Sequence, residues 1–109
     1  MTIEEVRELI RTQGEDHLST KNDHGITLRQ ALVLPNRISV IMRTVRDGRV
    51  VDKEQFVWLV GREPVEDGYK IVMREDGLQF GLASSGFPGD KHPILAGWYG
   101  GLVSAFLSM

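Results

Sequence analysis

Residues 92–109, HPILAGWYGGLVSAFLSM, decide how the rest of the chain is read. They contain no lysine, arginine, aspartate or glutamate, although 26% of the chain is charged. Pro93 suits the first turn of a helix, where its missing N–H is not needed. The apolar spacing predicts a helix running from there to Met109. Leu95, Trp98, Leu102, Ala105, Phe106 and Met109 form a bulky stripe. Gly97, Gly101, Ser104 and Ser108 form a small-residue stripe beside it, and Ala96, Gly100, Val103 and Leu107 fill the remaining side.

A helix that is apolar all round is a buried helix. A two-layer domain covers one face of such a helix with its sheet and part of another with a second helix. The remainder calls for a cover from outside. The small stripe permits close backbone approach, and a two-fold pairing would use one patch twice. The expectation is therefore a homodimer whose interface centres on Gly97, Trp98, Gly101, Leu102 and Phe106, with buried aromatics as anchors. A different protein partner would serve the same purpose.

Two other readings compete. Gly97-x-x-x-Gly101 is a membrane helix-pairing pattern. At 1.5 Å per residue, however, the segment reaches roughly 25 Å, short of a comfortable span, and only Lys91 and His92 flank it. No membrane association is expected. The other reading is internal: each mid-helix glycine costs about 1 kcal/mol against alanine. Gly100-Gly101 would then divide the segment into two short pieces that tuck into the chain's own core.

Upstream, Ser84–His92 (SSGFPGDKH) reads as a loop, and before it lies an antiparallel meander. Five strands are expected: Ile26–Leu34, Arg37–Arg46, Arg49–Val60, Tyr69–Glu75 and Leu78–Ala83. Pro35-Asn36 separates the first two. Asp47-Gly48, Asp67-Gly68 and Asp76-Gly77 mark turns, because both residue types tolerate positive φ. Alternation places Ile38, Val40 and Met42 on one side of the second strand. It points Tyr69, Ile71, Met73, Leu78, Phe80 and Leu82 inward. The third strand is apolar on both faces in its second half, as a central strand would be.

At the start, Thr2 and Glu5 make a T-x-x-E capping box, and Ile3, Val6, Leu9 and Ile10 form an apolar stripe. A helix is predicted over 3–13, stopped by Gly14. Glu15–Gly25 is polar and turn-rich, hence a loop. The order of helix, about five antiparallel strands and an apolar helix on one sheet face gives one α+β domain over residues 1–109.

The 109 residues include no cysteine, which excludes disulfides and thiolate chemistry. No export signal is visible at the acidic start, and a cytoplasmic location is expected. The formal net charge is −2, so the whole chain has no pull toward nucleic acid. Its distribution is uneven: residues 26–49 carry five arginines and one aspartate, and the segments on either side are acidic.

That arginine set, Arg29, Arg37, Arg43, Arg46 and Arg49, is a candidate for anion or nucleic-acid contact, since a basic hairpin can track phosphates. Against it, Asp52 and Glu54 stand ready as cross-strand partners, and cross-strand ion pairs on a solvent face are ordinary. Each histidine has a nearby aspartate (Asp16-His17, Asp23-His24, Asp90-x-His92). His17, Asp23 and His24 are the best metal candidates, but they lie in loops without the spacing that aligns two ligands. No metal or cofactor is expected.

Gly81–Gly89 lacks the lysine of a phosphate-binding loop, and Ser84 and Ser85 sit in no nucleophile elbow. The reading leans to a non-enzymatic protein-interaction module, such as an adaptor, an inhibitor or a chaperone-like protein. Phosphate-ligand or nucleic-acid binding through residues 29–49 is the alternative. A ligand or enzymatic cup between sheet and helices, using the loop histidines and Tyr69, is a further one.

Overall fold

A computed structural model of the chain describes residues 1–65, 67–85 and 91–109. The architecture is α+β: an N-terminal helix, a five-stranded and mostly antiparallel sheet, and a C-terminal helix. The sheet closes on itself into a barrel in the order β1-β2-β3-β4-β5.

Helix α1 spans Ile3–Gly14 and opens with the expected capping box. Glu5 N donates to Thr2 Oγ1 at 3.2 Å, and Thr2 N donates to Glu5 Oε1 at 3.0 Å. Val6 and Ile10 are its buried stripe. A 3₁₀ turn, Glu15–His17, follows. The loop beyond it is organised by the buried Asn22, whose Oδ1 accepts from His24 N and Ile26 N at 3.0 and 3.2 Å.

The first predicted strand, Ile26–Leu34, is not a strand over most of its length. Residues Leu28–Ala31 form a short helix, α2, capped by Thr27 and Gln30 in a second reciprocal box. Thr27-x-x-Gln30 matches the same capping pattern as Thr2-x-x-Glu5, and satisfying two orphan backbone donors there outweighs the apolar alternation.

Strand β1 is one continuous strand, Leu32–Arg46, and runs straight through Pro35. Leu32 opposes Gly61 and Asn36 opposes Leu59, so four steps on β1 match two on β2. Pro35 therefore sits at a bulge, one of the few places in a sheet where a missing N–H is tolerated. The expected Pro35-Asn36 connection does not exist.

Strand β2 spans Arg49–Arg62. The tight turn before it has Asp47 at φ 50° and Gly48 at φ 74°, the positive values that the Asp-Gly pair permits. Strands β3 (Lys70–Arg74) and β4 (Phe80–Ser84) continue the antiparallel order.

The last 18 residues are not one helix. Ile94–Trp98 is strand β5, and only Leu102–Leu107 is helical, as α3. Strand β5 lies antiparallel to β4, with Gly81 opposite Trp98 and Ser84 opposite Ile94. It meets β1 in parallel at Ile41 and Ile94, where Ile41 N donates to Pro93 O at 2.8 Å.

Two glycines make this possible. A Cβ on Gly81 would fall 2.3 Å from Gly97 O and 2.7 Å from the Trp98 ring, so no larger residue fits between β4 and β5. Gly100 takes φ +83°, a conformation that turns the chain out of β5 at little steric cost. Gln13 of α1 then supplies the cap that Gly101 lacks: its Oε1 accepts from Leu102 N at 2.8 Å.

The five-strand count of the sequence reading thus holds with a different membership. The last residues of the first expected strand join the second in β1, and the fifth strand comes from the expected helix. Tyr69 and Leu78, read as inward, are exposed, while Ile71, Met73, Phe80 and Leu82 are buried as expected. Val72 and Ala83, on the opposite side, are buried too.

Two clusters account for this burial. The larger joins Val6 and Ile10 of α1, Leu28 of α2 and Leu102 and Phe106 of α3 to Trp58, Met73 and Phe80 of the sheet. The smaller holds Val40, Val57, Val72 and Ala83, with Ile38, Leu95 and Trp98 against it. All five strands contribute to it, as the interior of a closed ring requires.

Candidate interaction surface

The terminal segment offers little of the surface expected of it. Leu102 and Phe106 are fully buried in the larger cluster, and Trp98 is half-buried against the smaller one. Gly97 is half-buried within β5, and Gly101 is exposed at the start of α3. The five expected interface residues are therefore divided between the two sides of the sheet. Strand β5 lies between β4 and β1, and α3 packs on α1, β3 and β4. The chain itself thus covers much of the charge-free stretch, as in the internal alternative raised above, while Tyr99 and Leu107 stay exposed.

The metal candidates do not converge. His17, Asp23 and His24 are all exposed, and His24 Nδ1 lies 3.1 Å from Glu63 Oε2. Among the described residues no group of three potential ligands comes together. Asp90 and residues 86–89 of the glycine-rich stretch lie outside the described residues. Ser85 Oγ donates to Asp67 Oδ1 at 3.2 Å, and both side chains are exposed. The barrel interior holds Val40, Val57, Val72 and Ala83, with Ile38, Leu95 and Trp98 packed against them. A shallow groove of about 280 Å³ lies outside it, between α1 and β1, lined by Arg7, Ile10, Arg11, Leu32, Leu34 and Pro35.

What stands free is the outer half of the β1–β2 hairpin. Strand β3 pairs with β2 only from Val57 to Arg62, and β5 meets β1 only at Ile41. Beyond those points β1 and β2 pair with each other alone among the described residues, from Met42 opposite Lys53 to Arg46 opposite Arg49. The molecule is 44 Å in its longest dimension, about the reach of so long a strand at roughly 3.3 Å per residue.

The two faces of this ribbon differ in charge. Directly opposed residues share a face. One face carries Arg43 opposite Asp52 and Val45 opposite Val50. There Arg43 Nε and Nη2 donate to the two Asp52 oxygens, both at 2.8 Å. That bidentate pairing holds the Asp52 carboxyl below the usual aspartate range. His92 Nε2 lies 3.8 Å from Glu54 on this face. Further down, Arg37 donates to Glu75 Oε2 at 2.7 Å, with its guanidinium 5.3 Å from the Phe56 ring centre.

The other face carries Met42 opposite Lys53, Thr44 opposite Val51, and Arg46 opposite Arg49. It presents three cations and no carboxylate over this stretch. Among the described residues Arg46, Arg49 and Lys53 make no ion pair. Apolar side chains stand out on both faces: Val45 is 71% exposed, Val50 64%, Phe56 53% and Val51 43%.

The candidate arginines therefore separate into three groups. Arg43 is held by Asp52, one of the two cross-strand partners expected, whereas Arg37 is held by Glu75 rather than by Glu54. Arg46 and Arg49 are free on the other face. Arg29 sits apart, exposed on α2. Lys53, Val45, Val50 and Val51 were missed. The signal for them is the Asp47-Gly48 turn, since a two-residue turn fixes the register of every later pair. No protein family model, curated protein or solved structure matches this chain.

Proposed function

We propose that this protein is an interaction module that binds another protein through the outer half of its β1–β2 ribbon. One observation carries this reading. Val45, Val50 and Val51 stand exposed on a two-stranded arm whose edges lack ladder partners among the described residues. A lone pair of strands is marginally stable in water, and unpaired strand edges recruit other chains. An arm that keeps both features gains most when a partner covers it. Of the residues expected at a dimer interface, Gly97, Trp98, Gly101, Leu102 and Phe106, the last two are buried within the chain, which favours the ribbon as the binding surface.

The test is site-specific photo-cross-linking in the native host. A photoreactive side chain at Val51 is expected to give a discrete adduct with another protein. The adduct is expected to vanish in a Val45→Ser/Val50→Ser background that keeps the wild-type circular dichroism. Leu78 is 72% exposed and lies outside the ribbon, so it serves as the control. The same adduct from position 78, or none from position 51, would sink the reading.

A second reading has one observation behind it: the carboxylate-free face with Arg46, Arg49 and Lys53 suits phosphates. It predicts binding that weakens steeply with salt.

A further inference from the structure

Taking the ribbon as the binding element, we infer that its partner is an acidic polypeptide segment that adds as a strand along the free edge of β2, residues 49–55. That segment presents carboxylate, apolar and carboxylate side chains at alternate positions, opposite Arg49, Val51 and Lys53.

The backbone argues for a strand. Before Val57, β2 has only β1 beside it among the described residues. Its outward N–H and C=O groups can be matched by a peptide backbone in ladder order. A third strand also relieves the weakness of a two-stranded ribbon.

The side chains argue for acid. Arg49, Val51 and Lys53 alternate, so they share one face. Arg46 stands directly opposite Arg49, an arrangement of like charges that destabilises a ribbon left alone. Carboxylates from a new strand would neutralise Arg49 and Lys53 and ease that repulsion. The opposite face has no such need, because Asp52 is held by Arg43 and Glu54 faces His92.

A second copy of the chain fits the same edge less well than an acidic strand. Antiparallel pairing of two β2 edges about a two-fold axis opposes residues of the same face. Centred on Lys53, it sets Lys53 against Lys53 and Asp52 against Glu54. Centring on Asp52 opposes two aspartates, and centring on Val51 sets Arg49 against Lys53. Each of these three registers opposes like charges, and centring on Val50 pairs only residues 49–51 of the edge. A polynucleotide fits less well than a peptide: the cationic face carries no aromatic for base stacking, and a phosphate backbone cannot continue a β-ladder.

The experiment uses the full chain and short fluorescein-labelled peptides read by anisotropy at low salt. The probe is Thr-Glu-Thr-Val-Thr-Glu-Thr. Its companions replace both glutamates by glutamine or by lysine, or methylate alternate backbone nitrogens. Single-stranded and duplex DNA oligonucleotides complete the set. The acidic peptide is expected to bind about tenfold tighter than its glutamine analogue, the ratio that two exposed charge pairs supply. Backbone methylation is expected to abolish binding. An Arg49→Glu/Lys53→Glu variant is expected to prefer the lysine peptide instead.

Equal affinity for the acidic and glutamine peptides would overturn the acidic partner. Undiminished binding of the methylated peptide would overturn strand addition. DNA binding that depends on Arg49 and Lys53, with no peptide bound, would put nucleic acid in the partner's place. Silence from every probe would also overturn the inference, while the cross-link from Val51 judges the ribbon separately.

Discussion

The chain end and the outer half of the β1–β2 ribbon are both rich in apolar residues, yet Leu102 and Phe106 are fully buried whereas Val45 and Val50 stand 71% and 64% exposed. The chain end lies where α1, β3 and β4 already offer an apolar face, so its residues complete a core. The ribbon extends beyond the last ladder contacts with β3 and β5, and nothing among the described residues covers it. Apolar content by itself therefore does not identify an interface. What identifies one is apolar content that the rest of the chain leaves uncovered.

This contrast can be broken by substitution. Phe106→Ala is expected to cost about 3–5 kcal/mol, the usual range for emptying a buried aromatic site. Val50→Ser is expected to stay within roughly 0.5 kcal/mol, as exposed positions do. Chemical denaturation of both variants checks the pair. Similar losses would mean that the ribbon is held by something other than its own ladder.

A smaller effect probes the junction between α1 and α3. Gln13→Ala removes the acceptor for Leu102 N and is expected to cost about 1 kcal/mol, the size of a lost helix cap. Gln13→Glu keeps the acceptor and should retain most of that stability. If both variants unfold at the wild-type midpoint, Gln13 does not hold the last helix.

The smallest effect sharpens the ribbon side. Arg46→Thr removes one member of the Arg46–Arg49 pair and is expected to raise stability by a few tenths of a kcal/mol. The gain should shrink as salt is added, because exposed charges are screened. A loss of stability would mean that Arg46 is compensated and that the cationic face is not strained.

Much of the fold was legible because its signals are local. The Thr2–Glu5 capping box placed α1, and the Asp-Gly pairs placed the turns of the meander. The same kind of signal at Thr27–Gln30 was present but gave way to apolar alternation, which favoured a strand. Pro35 was read as a break because proline ends most central strands. A bulge absorbs it here, and bulges depend on the partner strand opposite Leu32 and Asn36. Asp52 as a cross-strand partner was legible from spacing and is held by Arg43. The free face of Arg46, Arg49 and Lys53 was equally legible from the turn register, but it was hidden by reading the five arginines as one set.

By itself the sequence determined the local elements: the capped first helix, the Asp-Gly turns, the alternating strands, and a terminal stretch too apolar to face water. Tertiary structure decided what that stretch became. Ile94–Trp98 has residues compatible with helix or strand, and the open β4 edge beside Gly81 offered it a ladder. Pairing on both flanks closed the barrel and buried Val72 and Ala83 as well as Ile71 and Leu82. Helix and strand preferences differ by tenths of a kcal/mol per residue. Closing a sheet satisfies a whole row of backbone groups and covers a second apolar face. That long-range gain outweighs the local preference, and it leaves the β1–β2 ribbon as the part of the sheet still open.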